Sequence, residues 1–234
     1  MPPAIKIEGL TKRFGDNVVI ERLDLTIQPG EVAVLQGPSG VGKSTLLRTL
    51  TYLEPFQAGR ILLGELELSA GMDVRKERAR IRAARRQTGF VFQFFNLFPH
   101  RTVLENLMLG PVQVLKLPLK QARAEALSLL ERVGLAEKAG AYPAALSGGQ
   151  QQRVGIARAL AMHPRTVLFD EPTASLDPDM KQEMVQVIRE FAKDKLTLLI
   201  VTHEPAVIES IATRVIKLGP RCAILSDQRN HVSG

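Results

Sequence analysis

The stretch Gly37-Pro38-Ser39-Gly40-Val41-Gly42-Lys43-Ser44-Thr45 constrains this chain more than any other. It follows an apolar run with strand character, Glu31–Gln36, and leads into Lys43–Leu53, where the leucines recur at helical spacing. Strand, glycine-rich loop, helix is the setting a phosphate-binding P-loop requires, and every specified position is filled, with an additional glycine at position 40. The glycines let the backbone turn so that several N–H groups point inward at phosphate oxygens. The helix beginning there adds the positive end of its dipole. Lys43 then supplies a mobile charge for the β and γ phosphates, and Ser44 a hydroxyl for Mg²⁺. Gly37 to Thr45 are thus the candidate residues for binding ATP.

A loop of this kind predicts an α/β fold, and the rest of the chain fits one. Ile5–Leu10 and Val18–Ile27 read as strands around a turn at Gly15-Asp16-Asn17. Ile61–Leu68 reads as a further strand, Arg75–Arg86 as a helix and Thr88–Phe92 as a buried strand. From Val103 to about Arg158 the pattern is mainly helical, with a second helix over Ala122–Val133 ended by Gly134 and a third over Gln150–Met162. Thr166–Phe169 and Leu196–Thr202 are apolar runs typical of central parallel strands, flanking an amphipathic helix over Asp179–Ala192. Thr213–Leu218 is a last strand, and the polar tail from Ser226 is expected to be loose. The expectation is a P-loop NTPase core with a mostly parallel sheet, an N-terminal antiparallel β region and an inserted α-helical subdomain. The boundaries read as a core of about 1–94 and 160–225, with the helical block at about 95–159.

Thr166-Val167-Leu168-Phe169 ends in two carboxylates, Asp170 and Glu171. Neighbouring strand residues point to opposite sides, so the pair can divide two tasks where the strand ends. Downstream of a P-loop, Asp170 is the candidate partner of the Mg²⁺ shell, and Glu171 the candidate that orients or deprotonates attacking water. Ser147-Gly148-Gly149 precedes a helix, so it forms a second N-terminus with free N–H groups.

Here the residues resemble a known family. Leu146-Ser147-Gly148-Gly149-Gln150-Gln151-Gln152-Arg153, followed by Ala157-Arg158-Ala159-Leu160 and by Asp170-Glu171-Pro172-Thr173, is similar to the signature region of ABC transporter ATPases. The resemblance runs from about residue 5 to 218. It is closest to the ATPases of polar amino-acid importers, through Gly89-Phe90-Val91-Phe92-Gln93-Phe94-Phe95-Asn96-Leu97-Phe98-Pro99-His100 and Thr102-Val103-Leu104-Glu105-Asn106. It implies a twofold dimer in which Ser147, Gly149 and Gln150 of one copy close on ATP held by Lys43 of the other. It also implies a switch role for Gln93 at the Mg²⁺ or water, a γ-phosphate sensor in His203, and an adenine-stacking aromatic in Phe14, with a strand-end packing residue as the rival reading. Ser175-Leu176-Asp177 resembles the loop that communicates across the dimer, with Ala174-Ser175 where relatives often have Ser then Ala. The apolar segment Phe94–Arg101 reads either as packing between lobes or as a groove for a short helix of a membrane permease. The implied partners are permease subunits and an external solute-binding protein, with the ATPase at the cytoplasmic face of the cell membrane.

Composition narrows the alternatives. One cysteine, Cys222, excludes an internal disulfide and a cysteine-based metal site, and reads as a packed or surface thiol. The formal net charge of +7 favours acidic partners, and much of it lies in Arg75–Arg86. With no tryptophan and no aromatics interleaved with that run, base stacking there is disfavoured, so nucleic acid is an unlikely partner. No signal-peptide pattern and no uninterrupted membrane-length apolar run is present, which points to the cytosol. An exporter or lipid-handling complex stays open because of the basic run Arg75–Arg86 and because Gly219-Pro220-Arg221-Cys222-Ala223-Ile224-Leu225 is atypical of the family it resembles. A ribosome- or nucleic-acid-directed ATPase is disfavoured by the single P-loop and single signature.

Overall fold

The computed structural model describes residues 2, 4–174 and 176–230. An antiparallel sheet has the order β2-β1-β4-β5, formed by β1 (Ile5–Phe14), β2 (Asn17–Ile27), β4 (Ala58–Leu63) and β5 (Leu66–Ser69). A second sheet, β10-β9-β3-β8-β7-β6, is built from β3 (Val32–Gln36), β6 (Thr88–Val91), β7 (Thr166–Asp170), β8 (Thr197–Val201), β9 (Arg214–Leu218) and β10 (Ile224–Arg229). Its strands run parallel except for the β9–β10 pair. The α/β architecture read from the sequence is the one observed.

The central strands alternate strictly between two cores, as a period of two demands of a strand covered on both faces. Val32, Val34, Val167, Phe169, Leu198 and Ile200 enter one cluster. It is filled by α3 (Val103–Gln113), α4 (Leu119–Arg132), α5 (Gly148–Leu160), α6 (Pro178–Ala192) and α7 (Pro205–Ile211). Ala33, Leu35, Leu168, Leu199 and Val201 enter the other, with the antiparallel sheet, α1 (Lys43–Leu50) and α2 (Arg78–Gln87). α3, α4 and α5 pack on one another, and α5 also touches β6.

Several local readings need correction. Ile61–Leu68 is not one strand: Gly64, at φ +60°, turns the chain back so that β4 and β5 form a hairpin. Arg75–Arg86 is helical only from Arg78, because Asp73 accepts from the amides of Arg75 and Lys76 and holds a turn there. Helix α7, opened by Pro205, goes unread because seven residues carry too little periodicity. The polar stretch from Ser226 is not loose: through Arg229 it forms the edge strand β10, and 231–234 lie outside the described residues.

The edge strand is held by a charged cluster. Arg214, only 9% exposed, donates to both Asp227 carboxylate oxygens at 2.6 Å, to the Thr26 carbonyl at 2.7 Å and to Glu31. Those bonds join β9, β10 and the antiparallel sheet, and they hold the Asp227 carboxyl below its ordinary value of 3.8. A carboxylate whose value is lowered by folding contributes stability that is present above 3.8 and is lost as pH falls through the lower, folded value. Because Asp227 is partly exposed, Asp227→Asn is expected to cost about 1 kcal/mol at neutral pH. In urea titrations the gap from the parent should close as the pH falls below 3.8.

Candidate functional site

Parallel pairing brings the C-terminal ends of four strands to one edge, where an open α/β sheet places its ligand. Leu35 lies level with Val201, Val201 with Asp170, and Phe169 with Val91. Each strand then delivers its next residues into the same space. β3 delivers the glycine-rich loop, β8 delivers Thr202 and His203, β7 delivers Asp170 and Glu171, and β6 leads to Gln93. The result is an open cleft of about 810 Å³, lined among others by Ser39, Gly40, Gly42, Lys43, Ser44, Thr45, Gln93, Glu171 and His203.

The loop conformation explains its glycines. Gly37 sits at φ +152°, and a side chain there would drive into the carbonyl of Leu218. Gly42, at φ +111°, caps the N-terminus of α1. Lys43, 7% exposed, lies at the loop mouth with its ammonium donating to the carbonyls of Gly37 at 2.6 Å and Pro38 at 3.0 Å. Val41 turns its side chain into the core.

The Ser44 hydroxyl donates to Asp170 Oδ1 at 2.6 Å, which ties the start of α1 to the end of β7. A hydroxyl and a carboxylate, both hard oxygen donors, suit Mg²⁺, which takes few protein ligands and fills its remaining positions with water and phosphate. No group of three or more His, Cys, Asp or Glu side chains with metal-holding geometry occurs among the described residues.

Glu171 is the most perturbed group in the cleft. Its φ of 49° places a non-glycine residue in the left-handed region, a strain that concentrates at functional positions. Its N–H donates to the Val201 carbonyl at 2.9 Å, which fixes the turn. Burial raises its carboxyl above the ordinary 4.5 and neighbouring Asp170 raises it further, while the charges of His203 and Lys43 oppose the rise. His203 Nε2 lies 3.6 Å from Glu171 Oε1.

Other sequence candidates stand outside this cleft. Phe14 is 48% exposed at the end of β1, with the Lys12 ammonium 4.1 Å from its ring centre. Ser147 caps α5 in a reciprocal box with Gln150: its hydroxyl accepts from the Gln150 amide, and the Gln150 side chain accepts from the Ser147 amide. Asp177 caps α6 by accepting from Met180 N at 2.8 Å. Met180 packs against Gly149, so these two helix N-termini lie side by side. Ser175 lies outside the described residues.

The Phe94–Arg101 segment is packed at some positions and exposed at others. Phe95 packs on Gly148, and Arg158 donates to the Asn96 carbonyl at 2.7 Å, while Phe94 remains 69% exposed. Gln152, buried in α5, donates to the Phe92 carbonyl at 3.1 Å, so the segment after β6 is fastened to the helix that carries Ser147. Residues that motif reading missed include Val19, Thr173, Thr202, Glu204 and Lys181, which also line the cleft. Lys181 pairs with Glu204 at 3.2 Å across the rim; on an amphipathic helix it carries no sequence signal.

The sequence matches the ABC transporter family over residues 20–174. The L-cystine transport system ATP-binding protein TcyN of Escherichia coli is 49% identical over 91% of this chain and 85% of its own length. The glutamine transport ATP-binding protein GlnQ of Geobacillus stearothermophilus is 45% identical over the same shares. Among solved structures, the dimeric post-hydrolysis state of the ATP-binding cassette MJ0796 bound to ADP and phosphate superposes with a TM-score of 0.83 at 32% identity, covering 98% of this chain and 99% of that one. The chain therefore belongs to the ABC transporter family, as one of its ATP-hydrolysing cassettes.

The raised Glu171 carboxyl has a consequence in solution. A glutamate base works only when ionised, so if Glu171 is the base, turnover should decline on acidification at a pH above 4.5. His203→Ala removes a charge that holds the value down, and the acid limb of its residual activity should move to still higher pH. A pH profile of steady-state phosphate release from both proteins checks this.

Proposed function

We propose that this chain powers a membrane permease for the uptake of polar amino acids, working as a dimer with ATP at the interface. The observation that carries the reading is the assembly of Lys43, Ser44, Gln93, Glu171 and His203 in one cleft, with Asp170 bonded to Ser44. The names of relatives that share 45–49% of its residues, transporting cystine and glutamine, support the choice of solute class.

In this reading the amides of residues 37–45 and the Lys43 ammonium hold the triphosphate. Ser44 and Asp170, with Gln93 nearby, would hold Mg²⁺, whose charge would offset that of the phosphates. Glu171 accepts a proton from the attacking water, and His203 senses the γ-phosphate. Phe14 stacks on adenine through the part of its ring left exposed beside the Lys12 ammonium. Ser147, Gly149 and Gln150 at the N-terminus of α5 close on nucleotide held by the partner copy, and Asp177 beside them communicates across the interface. A dimeric relative in a post-hydrolysis state supports this arrangement.

The helical block of about 95–159 acts as the lobe that responds to nucleotide. The exposed Phe94 and Phe98 offer an apolar rim for a short permease helix. Among the described residues no helix is long and apolar enough to cross a membrane, so attachment through a permease at the cytoplasmic face fits. An external solute-binding protein completes the system. Reconstitution with its permease in vesicles tests the assignment: ATPase activity should rise when a polar amino acid and the binding protein are added, and indifference to every amino acid tried would reject import.

Two substitutions test the roles. Lys43→Ala should weaken ATP binding at least about tenfold, measured by titration calorimetry. Glu171→Gln should keep ATP affinity, lower turnover by at least about 100-fold and accumulate a dimer on size-exclusion chromatography with ATP. A Glu171→Gln protein that turns over at the parental rate would remove Glu171 from catalysis.

A further inference from the structure

The turn after β9 lies directly against the glycine-rich loop. Arg221 and Cys222 both adopt left-handed backbone angles, φ 56° and 58°, an uncommon pair for side chains of this size. The turn is closed by Gly219 N–H donating to the Ala223 carbonyl at 2.8 Å, and is pinned to β2 by Arg221–Glu21 at 2.8 Å. This geometry drives the Cys222 side chain inward, where it is 1% exposed and its Sγ donates to the Val41 carbonyl at 3.2 Å. The same sulfur abuts Gly42: a Cβ built there would come within 2.8 Å of Cys222 Sγ and 2.9 Å of Val19.

We propose that Cys222 is a positioning residue for ATP binding, which fixes the peptide between Val41 and Gly42. In a trans peptide the C=O and N–H point in opposite directions. Holding the Val41 carbonyl down onto the buried thiol therefore turns the Gly42 N–H the other way, toward the cleft that Gly42 lines. One backbone donor of the cradle is thereby aimed in advance, and the peptide does not have to rotate when phosphate arrives. Burial pushes the thiol up to about 12, so it is a protonated S–H donor throughout the physiological range and is unreactive as a nucleophile. Leu218, at the end of the same β9 strand, sets its carbonyl against Gly37, so this strand and turn brace both ends of the glycine-rich loop.

The inference rests on the reading of residues 37–45 as the triphosphate cradle, and the experiment separates the two. Magnesium-ATP affinity is measured by calorimetry on the full chain for the parent, Cys222→Val, Cys222→Ala, Cys222→Ser and Lys43→Ala, with thermal unfolding alongside. Cys222→Val keeps similar volume without a donor and should weaken ATP binding about fivefold, while lowering the unfolding midpoint by less than about 5 °C. Cys222→Ser keeps a donor and should return affinity to within about twofold of the parent. Cys222→Ala, which cannot overfill the site, should match the valine variant, and it decides the matter if valine prevents folding. Parental affinity in the donor-less variants, or a serine variant as weak as they are, overturns the positioning role. If Lys43→Ala also binds ATP as the parent does, it is the cradle reading that fails.

Discussion

Everything in the cleft depends on the level at which parallel strands are paired. β3, β8, β7 and β6 lie in a register that sets Leu35, Val201 and Asp170 on one line, with Phe169 and Val91 one step behind. The groups that gather there come from positions 37–45, 93, 170–171 and 203, and no local interaction could assemble them. A slip of one residue in any pair would turn the strand's side chains to the opposite core and withdraw its terminal residue from the cleft. The two hydrophobic layers oppose such a slip, since Leu198 and Ile200 belong to one and Leu199 and Val201 to the other. Apolar burial on both faces is what makes the polar geometry at the edge reproducible.

On that frame, charge is concentrated where water is scarce. Lys43 and Asp170 are nearly buried, and each is compensated: the ammonium by two loop carbonyls, the carboxylate by the Ser44 hydroxyl. Glu171 is less well compensated, and its raised proton affinity follows. A further polar connection leaves the cleft through Gln152, whose amide holds the Phe92 carbonyl beside Gln93 while its own Oε1 stays buried without a hydrogen-bond partner among the described residues. An orphaned oxygen in a packed helix is costly, and it accompanies this contact between the segment after β6 and α5.

Much of this was legible in the sequence because the chemistry demands adjacent residues. A phosphate cradle needs glycines and a lysine in succession, and a strand ending in Asp170-Glu171 announces itself by hydrophobicity followed by charge. The capping box at Ser147 and Gln150 is likewise a local device. What stayed hidden is what depends on distant partners. Strand β10 is polar and reads as a tail; it becomes a strand because Asp227 meets Arg214. The Gly64 hairpin reads as one strand because both arms carry apolar residues. Lys181 and Val19 reach the cleft only through the fold, and Cys222, which reads as a packed or surface thiol, gains its place from an unusual turn that no periodicity signals.

The backbone at Glu171 carries one more implication. The left-handed region it occupies is most comfortable for glycine, and more tolerable for asparagine or aspartate than for a longer acid. Relaxing the main chain there would mean giving up either the carboxylate or its reach toward His203. A relaxed backbone and a carboxylate beside His203 thus ask for different residues at a single position, and the side chain present is the one that leaves the polypeptide under local tension. Selection for thermal robustness alone would favour another residue here, as at the other non-glycine residues with positive φ.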